Sequence, residues 1–164
     1  MSVNTVEKLF VEELKDLYSA ENQITKALPK MAKAATSSEL KTAFETHLRE
    51  TEGQIKRLDQ VFEILDKASG GKSCKGMKGL LEEGAEVIQE TEGEVRDAAM
   101  ISAAQRVEHY EIAAYGSVRT YAELLGQKEI ATLLQQTLDE EGATDKKLTQ
   151  IAGKVNKQAQ RQAA

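Results

Sequence analysis

Residues 100–118, MISAAQRVEHYEIAAYGSV, combine the apolar periodicity of a core helix with an acidic residue at its centre. Each residue of an α-helix turns the chain by about 100°, so residues three or four apart fall on one face. Because burying an unpaired charge is costly, Glu111 has to be paired or bound to a cation. The stretch therefore predicts a long buried helix with a polar site in the core. Its core face comprises Met100, Ala104, Val107, Glu111, Ala114, Tyr115 and Val118, with Glu108 at the edge.

Three other stretches repeat this combination of an apolar stripe with inward-facing polar groups. Glu21 takes the central position of the first stripe. His47 lies near the second stripe, with Glu50 farther round beside it. In the last stripe Glu141 points inward and Glu140 lies to one side. The apolar members are Phe10, Leu14, Leu17, Ile24 and Leu28; Leu40, Phe44, Leu48, Ile55, Leu58 and Phe62; and Ile130, Leu134, Leu138 and Leu148.

The two halves of the chain align without a gap at an offset of 90 residues, which superposes Glu21 on Glu111 and Glu50 on Glu140. Two copies of a helix pair joined by a long crossover are typical of an antiparallel four-helix bundle. We therefore predict an all-α single domain over residues 1–164, with an internal pseudo-two-fold repeat. Its halves are residues 4–68 and 91–157, and the connection over residues 69–90 contains a glycine-rich loop and a short fifth crossover helix.

Capping residues predict where the helices begin, because a hydroxyl or Asx side chain satisfies the free amides of the first turn. Pro29 inside the first helix predicts a kink or a break there, since it lacks a backbone N–H. The expected helices begin at Asn4 with Glu7, Thr36 with Glu39, Met77, Thr91 with Glu94, and Gln127; they end near Ala35, Ala68, Glu90, Leu125 and Lys157.

The composition excludes several classes of function. The 164 residues carry 27 acids and 22 bases, a net charge of −5, so we expect no nucleic-acid partner. No apolar run approaches the ~20 residues of a membrane span, so we expect no membrane association. The single Cys74 excludes an internal disulfide, and no secretory leader is recognisable, so we expect a cytoplasmic protein. Motifs for nucleotide cofactors and zinc ribbons are absent.

Converging carboxylates and an imidazole are ligands that iron and manganese accept. The ferritin-like pattern places one Glu on each of two helices and Glu-x-x-His on the other two. Here the third residue after Glu50 is Gly53, and the third after Glu140 is Ala143, so both expected histidines are missing. His47 supplies a nitrogen from the other direction, and Glu141 or Asp145 an oxygen. We predict a carboxylate-rich di-iron or di-manganese centre with the candidate ligands Glu21, His47, Glu50, Glu108, Glu111, Glu140 and Glu141.

Four segments carry a resemblance to a known family: DLYSAE at 16–21, HLRET at 47–51, VEHYEIA at 107–113 and TLDEE at 137–141. With them the chain resembles the YciE/YciF stress-protein family, a ferritin-like group. That resemblance covers essentially the whole chain. It implies an all-helical homodimer that is induced under stress and is distantly related to rubrerythrin-like di-metal proteins.

Two functions from different classes fit this sequence. The first is redox chemistry at the metal centre with oxygen or peroxide, together with an unidentified electron-transfer or stress partner. The second is a metal-free helical dimer with a structural or interaction role, which the missing histidines favour. A non-redox metal-binding protein is a third alternative. We expect the homodimer because Leu9, Leu81 and Leu125 lie on outer faces.

Three further residues have weaker functional interpretations. Tyr18 faces the level of Glu21 and is a candidate hydrogen-bond donor to a ligand. His109 lies on the side of its helix away from Glu111, so we expect no ligand role for it. Lysines near Cys74 predict a lowered pKa for its thiol, and intermolecular oxidation would be its redox role.

Overall fold

Five α-helices and no strand make up residues 2–162, the part of the chain that this computed structural model describes. The predicted all-α class, with a fifth helix between two helix pairs, is confirmed. The helices are α1 (Val6–Ala34), α2 (Ser38–Ile64), α3 (Lys75–Glu90), α4 (Gly93–Leu124) and α5 (Lys128–Gln162). None of the described helices is long and apolar enough to cross a membrane.

The four long helices form an antiparallel bundle. Short loops join α1 to α2 and α4 to α5, which makes each pair antiparallel. Between α2 and α5, Arg57 bonds Thr137 while Glu39 bonds Lys154, so these helices also run in opposite directions. α3 lies outside the bundle against α1 and α4. The connection that contains α3 thus spans the bundle from α2 to α4.

The observed helix ends correct several predicted ones. α1 and α2 are capped by Thr5 and Ser37, each one residue later than predicted. The Thr91 hydroxyl instead donates to the carbonyl of Val87, and Glu92 takes the N-cap position of α4. α2 ends at Ile64, four residues early, because Asp66 adopts a positive φ of 50° and turns the chain. α5 continues past Lys157 to Gln162.

Of the kink or break predicted at Pro29, the break does not occur, because α1 is continuous from Val6 to Ala34. Pro29 itself is exposed, while Leu28, Met31 and Ala32 on either side of it are buried in the core. Tertiary packing on both sides of the proline therefore offsets the loss of one helical hydrogen bond.

The apolar core is divided into two clusters. One contains Ile24, Leu28, Phe44, Met100 and Leu148 among its members, and the other contains Phe10, Leu14, Leu58, Phe62 and Val118 among its members. The glutamates and the histidine singled out from the sequence lie along the same helices between these two sets of positions. A polar layer therefore crosses the middle of the bundle.

The start of α3 is built around Cys74. Its buried sulfur accepts a hydrogen bond from the Met77 amide, and it lies 3.0 Å from the Tyr110 hydroxyl. That hydroxyl donates to Asp16. The expectation of a lowered thiol pKa is wrong: burial raises the pKa of Cys74, and the neighbouring Asp16 adds to this effect.

Candidate metal centre

Four buried side chains from three helices bring potential metal ligands together. They are His47 of α2, Glu108 and Glu111 of α4, and Glu141 of α5. Each offers one ligand atom, and the four atoms all lie within 4.8 Å of one another. Glu108 and Glu111 are three residues apart in α4 and therefore lie on neighbouring turns of one face. All four belong to the seven candidate ligands from the sequence.

His47 is surrounded by carboxylates. Its Nε2 atom lies 3.2 Å from Oε1 of Glu108 and 3.9 Å from Oε2 of Glu141, and its Nδ1 atom lies 3.5 Å from Oε2 of Glu50. The contact with Glu108 is an ion pair without hydrogen-bond geometry, because Nε2 has no hydrogen-bond partner. A single imidazole thus faces oxygens from two other helices.

Glu21, on α1, is a fifth buried ionisable group beside these four. It is fully buried, and one of its oxygens accepts a hydrogen bond from the hydroxyl of Tyr115. Its other oxygen has no hydrogen-bond partner. Burial raises the pKa of Glu111 and the charge of Glu21 raises it further, so these two carboxyl groups sense each other across the α1–α4 contact.

Gln54 belongs to this site although it is not among the seven candidate ligands. Its amide donates to Glu141 and, at 3.1 Å, to Oε2 of Glu140. Its Oε1 atom is buried and has no hydrogen-bond partner. The position is four residues after Glu50 in α2, so helical spacing alone already placed it on that face. The helix rotation that turns Gln54 toward α5 is not encoded locally.

Glu50 and Glu140 lie at the margin of the site. The side chain of Glu50 is 39% exposed, and its Oε2 atom accepts from Thr144 at 3.4 Å. Glu140 forms a paired contact with Arg57, whose Nη2 atom lies 2.9 Å from Oε1. Of the two carboxylate pairs that the repeat superposes, Glu50 and Glu140 are therefore marginal, whereas Glu21 and Glu111 are buried in the site.

Tyr18 and His109 lie apart from the cluster. Tyr18 packs edge-on against Phe62 with ring centroids 5.9 Å apart, and the tyrosine that bonds a carboxylate of the site is Tyr115. His109 is exposed, with Nε2 3.3 Å from Asp145. The same Oδ1 atom of Asp145 also accepts a hydrogen bond from Gln105 at 3.0 Å.

Burial controls the ionisation of these groups. It raises the pKa of Glu21 to about 7, and it raises the pKa values of Glu111 and Glu141 well above their ordinary range. Burial lowers the pKa of His47, but Glu108, Glu50 and Glu141 together outweigh this and raise it well above its ordinary value. Burial likewise raises the pKa of Glu108, but His47, Glu141 and His109 together outweigh that effect and lower it. The metal-free site therefore favours an ion pair between His47 and Glu108, next to carboxyl groups whose neutral form is favoured by burial.

The residues present fit a metal ion. Every buried side-chain nitrogen or oxygen without a hydrogen-bond partner in the described chain belongs to this site. Such atoms are rare in folded proteins because each loses its hydration without compensation. Each of these oxygen and nitrogen atoms can bind a divalent cation through a lone pair. The atoms are Oε2 of Glu21, Nε2 of His47, Oε1 of Gln54, Oε2 of Glu108, both oxygens of Glu111 and Oε2 of Glu141.

The site has an access route. A cavity of about 600 Å³ lies between the helices, and its lining includes His47, Glu50 and Glu108. Most of the other lining residues are apolar, among them Ile24 and Leu148. Small molecules can therefore approach His47 and Glu108 from an apolar space.

Comparison with known sequences now gives the family. The family described as Domain of unknown function, DUF892, matches residues 5–162. The chain belongs to this family. It is 52% identical to Protein YciF of Escherichia coli K12 over 166 residues, covering 99% of this chain and 100% of that protein. The resemblance found in the sequence is confirmed.

Solved structures show the same fold in three members of this structural group. The E. coli stress protein YciF matches with a TM-score of 0.91 at 51% identity, covering 94% of this chain and 99% of that one. YcfI of Rhodopseudomonas palustris matches with a TM-score of 0.88 at 45% identity, covering 90% of this chain and 95% of that one. A protein of Xanthomonas campestris matches at 0.81 and 22%, covering 98% and 100%, and shares the fold. The chain is thus a homologue of a stress protein.

Proposed function

We propose that this DUF892 protein is a stress-response metalloprotein with a carboxylate-rich di-iron or di-manganese centre. The observation that supports this function is the set of buried ligand atoms without hydrogen-bond partners, all within one layer of the bundle. His47, Glu108, Glu111 and Glu141 would hold one ion, since their ligand atoms already converge. Glu21, whose charge raises the pKa of Glu111, would supply oxygen to a second ion.

Iron or manganese bound there would supply one-electron chemistry toward oxygen or peroxide. The protein's own residues prepare the site for such an ion. Tyr115 donates to Glu21 and Gln54 donates to Glu141, which leaves the opposite oxygens of both carboxylates free to bind. The two apolar clusters on either side exclude water, so charge interactions inside the layer are strong.

Metal loading is coupled to proton release in this proposal. Glu21, Glu111 and Glu141 all have raised pKa values because of burial, and each has to lose its proton to act as a ligand. Metal affinity should therefore increase as the pH rises through the neutral range.

The test begins with metal analysis of protein purified without chelator. Oxygen or peroxide consumption by the iron-loaded and manganese-loaded forms follows. The matched pair of variants is Glu111→Gln, inside the site, and Glu52→Gln, on the exposed side of α2. The proposal expects metal and turnover to be lost only in Glu111→Gln. Metal retained equally in both variants would place the metal elsewhere, and metal bound without turnover would support a non-redox binding protein.

A metal-free structural role is the second candidate. It is favoured by the internal contacts of the layer, because the His47–Glu108 ion pair and the Gln54 bonds form without any cation. The R. palustris relative has been described as a candidate structural protein. This function expects no bound metal, and it expects Glu111→Gln to be neutral or stabilising, since a buried amide costs less than a buried carboxylate.

A further inference from the structure

A second cavity lies beneath α3 and adjoins the one that leads to the candidate metal centre. It has a volume of about 320 Å³ and lies between α1, α3 and α4. Ala27, Met31, Leu81 and Val107 line both cavities, so these four side chains lie between the two spaces. Together they extend from the outer edge of α3 to His47 inside the bundle.

The outer end of this path is cationic. Lys26, Lys30 and Lys78 line the cavity beneath α3, and all three are exposed. Lys78 has an exposed ion-pair partner in Glu82 at 3.7 Å. Within residues 2–162, neither Lys26 nor Lys30 has an acidic partner within ion-pair distance. Two uncompensated positive charges thus lie where an apolar cavity opens.

Charges at the other opening are already paired. Glu39 and Lys147 line the inner cavity, and Glu39 lies 3.5 Å from Lys147 and 3.0 Å from Lys154. An anion therefore finds free cations only at the end beneath α3. Between the two ends the walls are formed mainly by apolar side chains such as Leu28 and Phe44.

We propose that this path is a binding site for a long-chain fatty acid. The carboxylate would lie at Lys26 and Lys30, and the hydrocarbon chain would pass Ala27 and Val107 toward His47. The charge at one end and the apolar length behind it match a molecule with one anionic head and one chain. Both cavities fall within the about 300–1,000 Å³ of small-molecule sites. Binding of this ligand does not depend on the proposed metal.

The direct test is isothermal titration of the full chain with palmitate, in metal-free and metal-loaded forms. We expect one palmitate per chain with saturation in both forms. Each buried methylene contributes a nearly constant free energy, so affinity should fall about fourfold per methylene removed and about 15-fold from palmitate to myristate. Hexadecanol, which has the chain without the charge, should bind at least tenfold more weakly than palmitate.

Two variants test the two parts of the path. The double charge reversal Lys26→Glu with Lys30→Glu changes only exposed side chains, and it should weaken palmitate at least tenfold while leaving the melting temperature within a few degrees. Its control is Lys56→Glu on the exposed side of α2, which should bind as the parent does. Ala27→Phe fills the junction and should abolish binding. If that variant does not fold, the charge reversal and the chain-length series decide the question.

Several outcomes would overturn the proposal. They are the absence of saturable palmitate binding, equal affinity for hexadecanol, and full affinity in the charge-reversed variant. Binding to phosphatidylglycerol vesicles without binding of monomeric palmitate would assign the lysines to a membrane surface instead. Failure of metal binding, measured separately, would leave the palmitate result unchanged, so the two proposals are tested independently.

Discussion

The substitution Glu21→Gln should stabilise the metal-free protein, and it should do so more at high pH than at low pH. Glu21 is fully buried, and burial raises its pKa from 4.5 to about 7. A carboxyl group with a raised folded-state pKa opposes folding more and more as the pH rises from its unfolded-state pKa through its folded-state pKa. Glutamine carries no charge, so the variant does not undergo this destabilisation.

The expected magnitude follows from the difference between the two pKa values. At pH 8 the ionised Glu21 opposes folding by about 3 kcal/mol, since one pKa unit corresponds to about 1.4 kcal/mol. At pH 5 the penalty falls to about 1 kcal/mol. Glu21 is then protonated in the folded protein, while in the unfolded chain the same group is mostly ionised. The amide oxygen of the introduced glutamine still accepts the Tyr115 hydrogen bond, so little is lost in exchange.

Thermal unfolding followed by circular dichroism, with chelator present, measures this effect. A chain of this size gains about 2–4 °C per kcal/mol, so the melting temperature should rise by about 6–12 °C at pH 8 and by less than about 4 °C at pH 5. Glu52→Gln, on the exposed side of α2, is the control and should change neither value appreciably. An equal rise at both pH values, or a destabilised variant at pH 8, would refute the reasoning.

Four other outcomes are expected. Glu111→Gln should lose most of its bound iron or manganese while keeping its helical content, and plasma emission analysis beside circular dichroism checks this. Chelation should lower the melting temperature of metal-loaded protein by about 5–10 °C, because a ligand present at 100-fold excess over its Kd stabilises by about 3 kcal/mol; an unchanged curve would favour the structural role. Asp97→Ala should destabilise by about 2–4 kcal/mol in urea unfolding, since its carboxylate accepts from the amides of Thr36 at 2.8 Å and Ser37 at 2.6 Å; a loss below about 1 kcal/mol contradicts this. Light scattering should give a homodimer at micromolar concentration, with Leu124, which is 71% exposed, as an apolar group for such a contact; a monomeric mass argues against it.

The fold could be predicted because helical periodicity is a local property. The spacing of Phe10, Leu14, Leu17 and Glu21 determines which face of α1 is buried, whatever lies opposite. The same reasoning placed Glu111 and Glu141 inside the bundle, and both are fully buried. The prediction that Leu81 and Leu125 lie on outer faces is less accurate, because both residues pack against the core clusters.

The contacts within the site could not be predicted, because they depend on how neighbouring helices are rotated and aligned. Gln54 reaches Glu141 across 87 positions of sequence, and Tyr115 reaches Glu21 across 94. Nothing near either residue in the chain specifies such a partner. For Cys74 a local signal was misleading: the nearby lysines predict a low thiol pKa, whereas burial in the folded chain raises it.

The buried thiol of Cys74 also makes α3 experimentally visible. Its sulfur is inaccessible while it caps α3, so a thiol reagent can react only after this segment opens. When closing is faster than modification, the labelling rate is the intrinsic rate multiplied by the fraction of time spent open. Each 1.4 kcal/mol of docking free energy then slows labelling about tenfold. With one cysteine in the chain, the signal comes from a single location. The labelling rate of Cys74 therefore measures how stably α3 docks over the cavity beneath it. A molecule bound in that cavity should slow the modification.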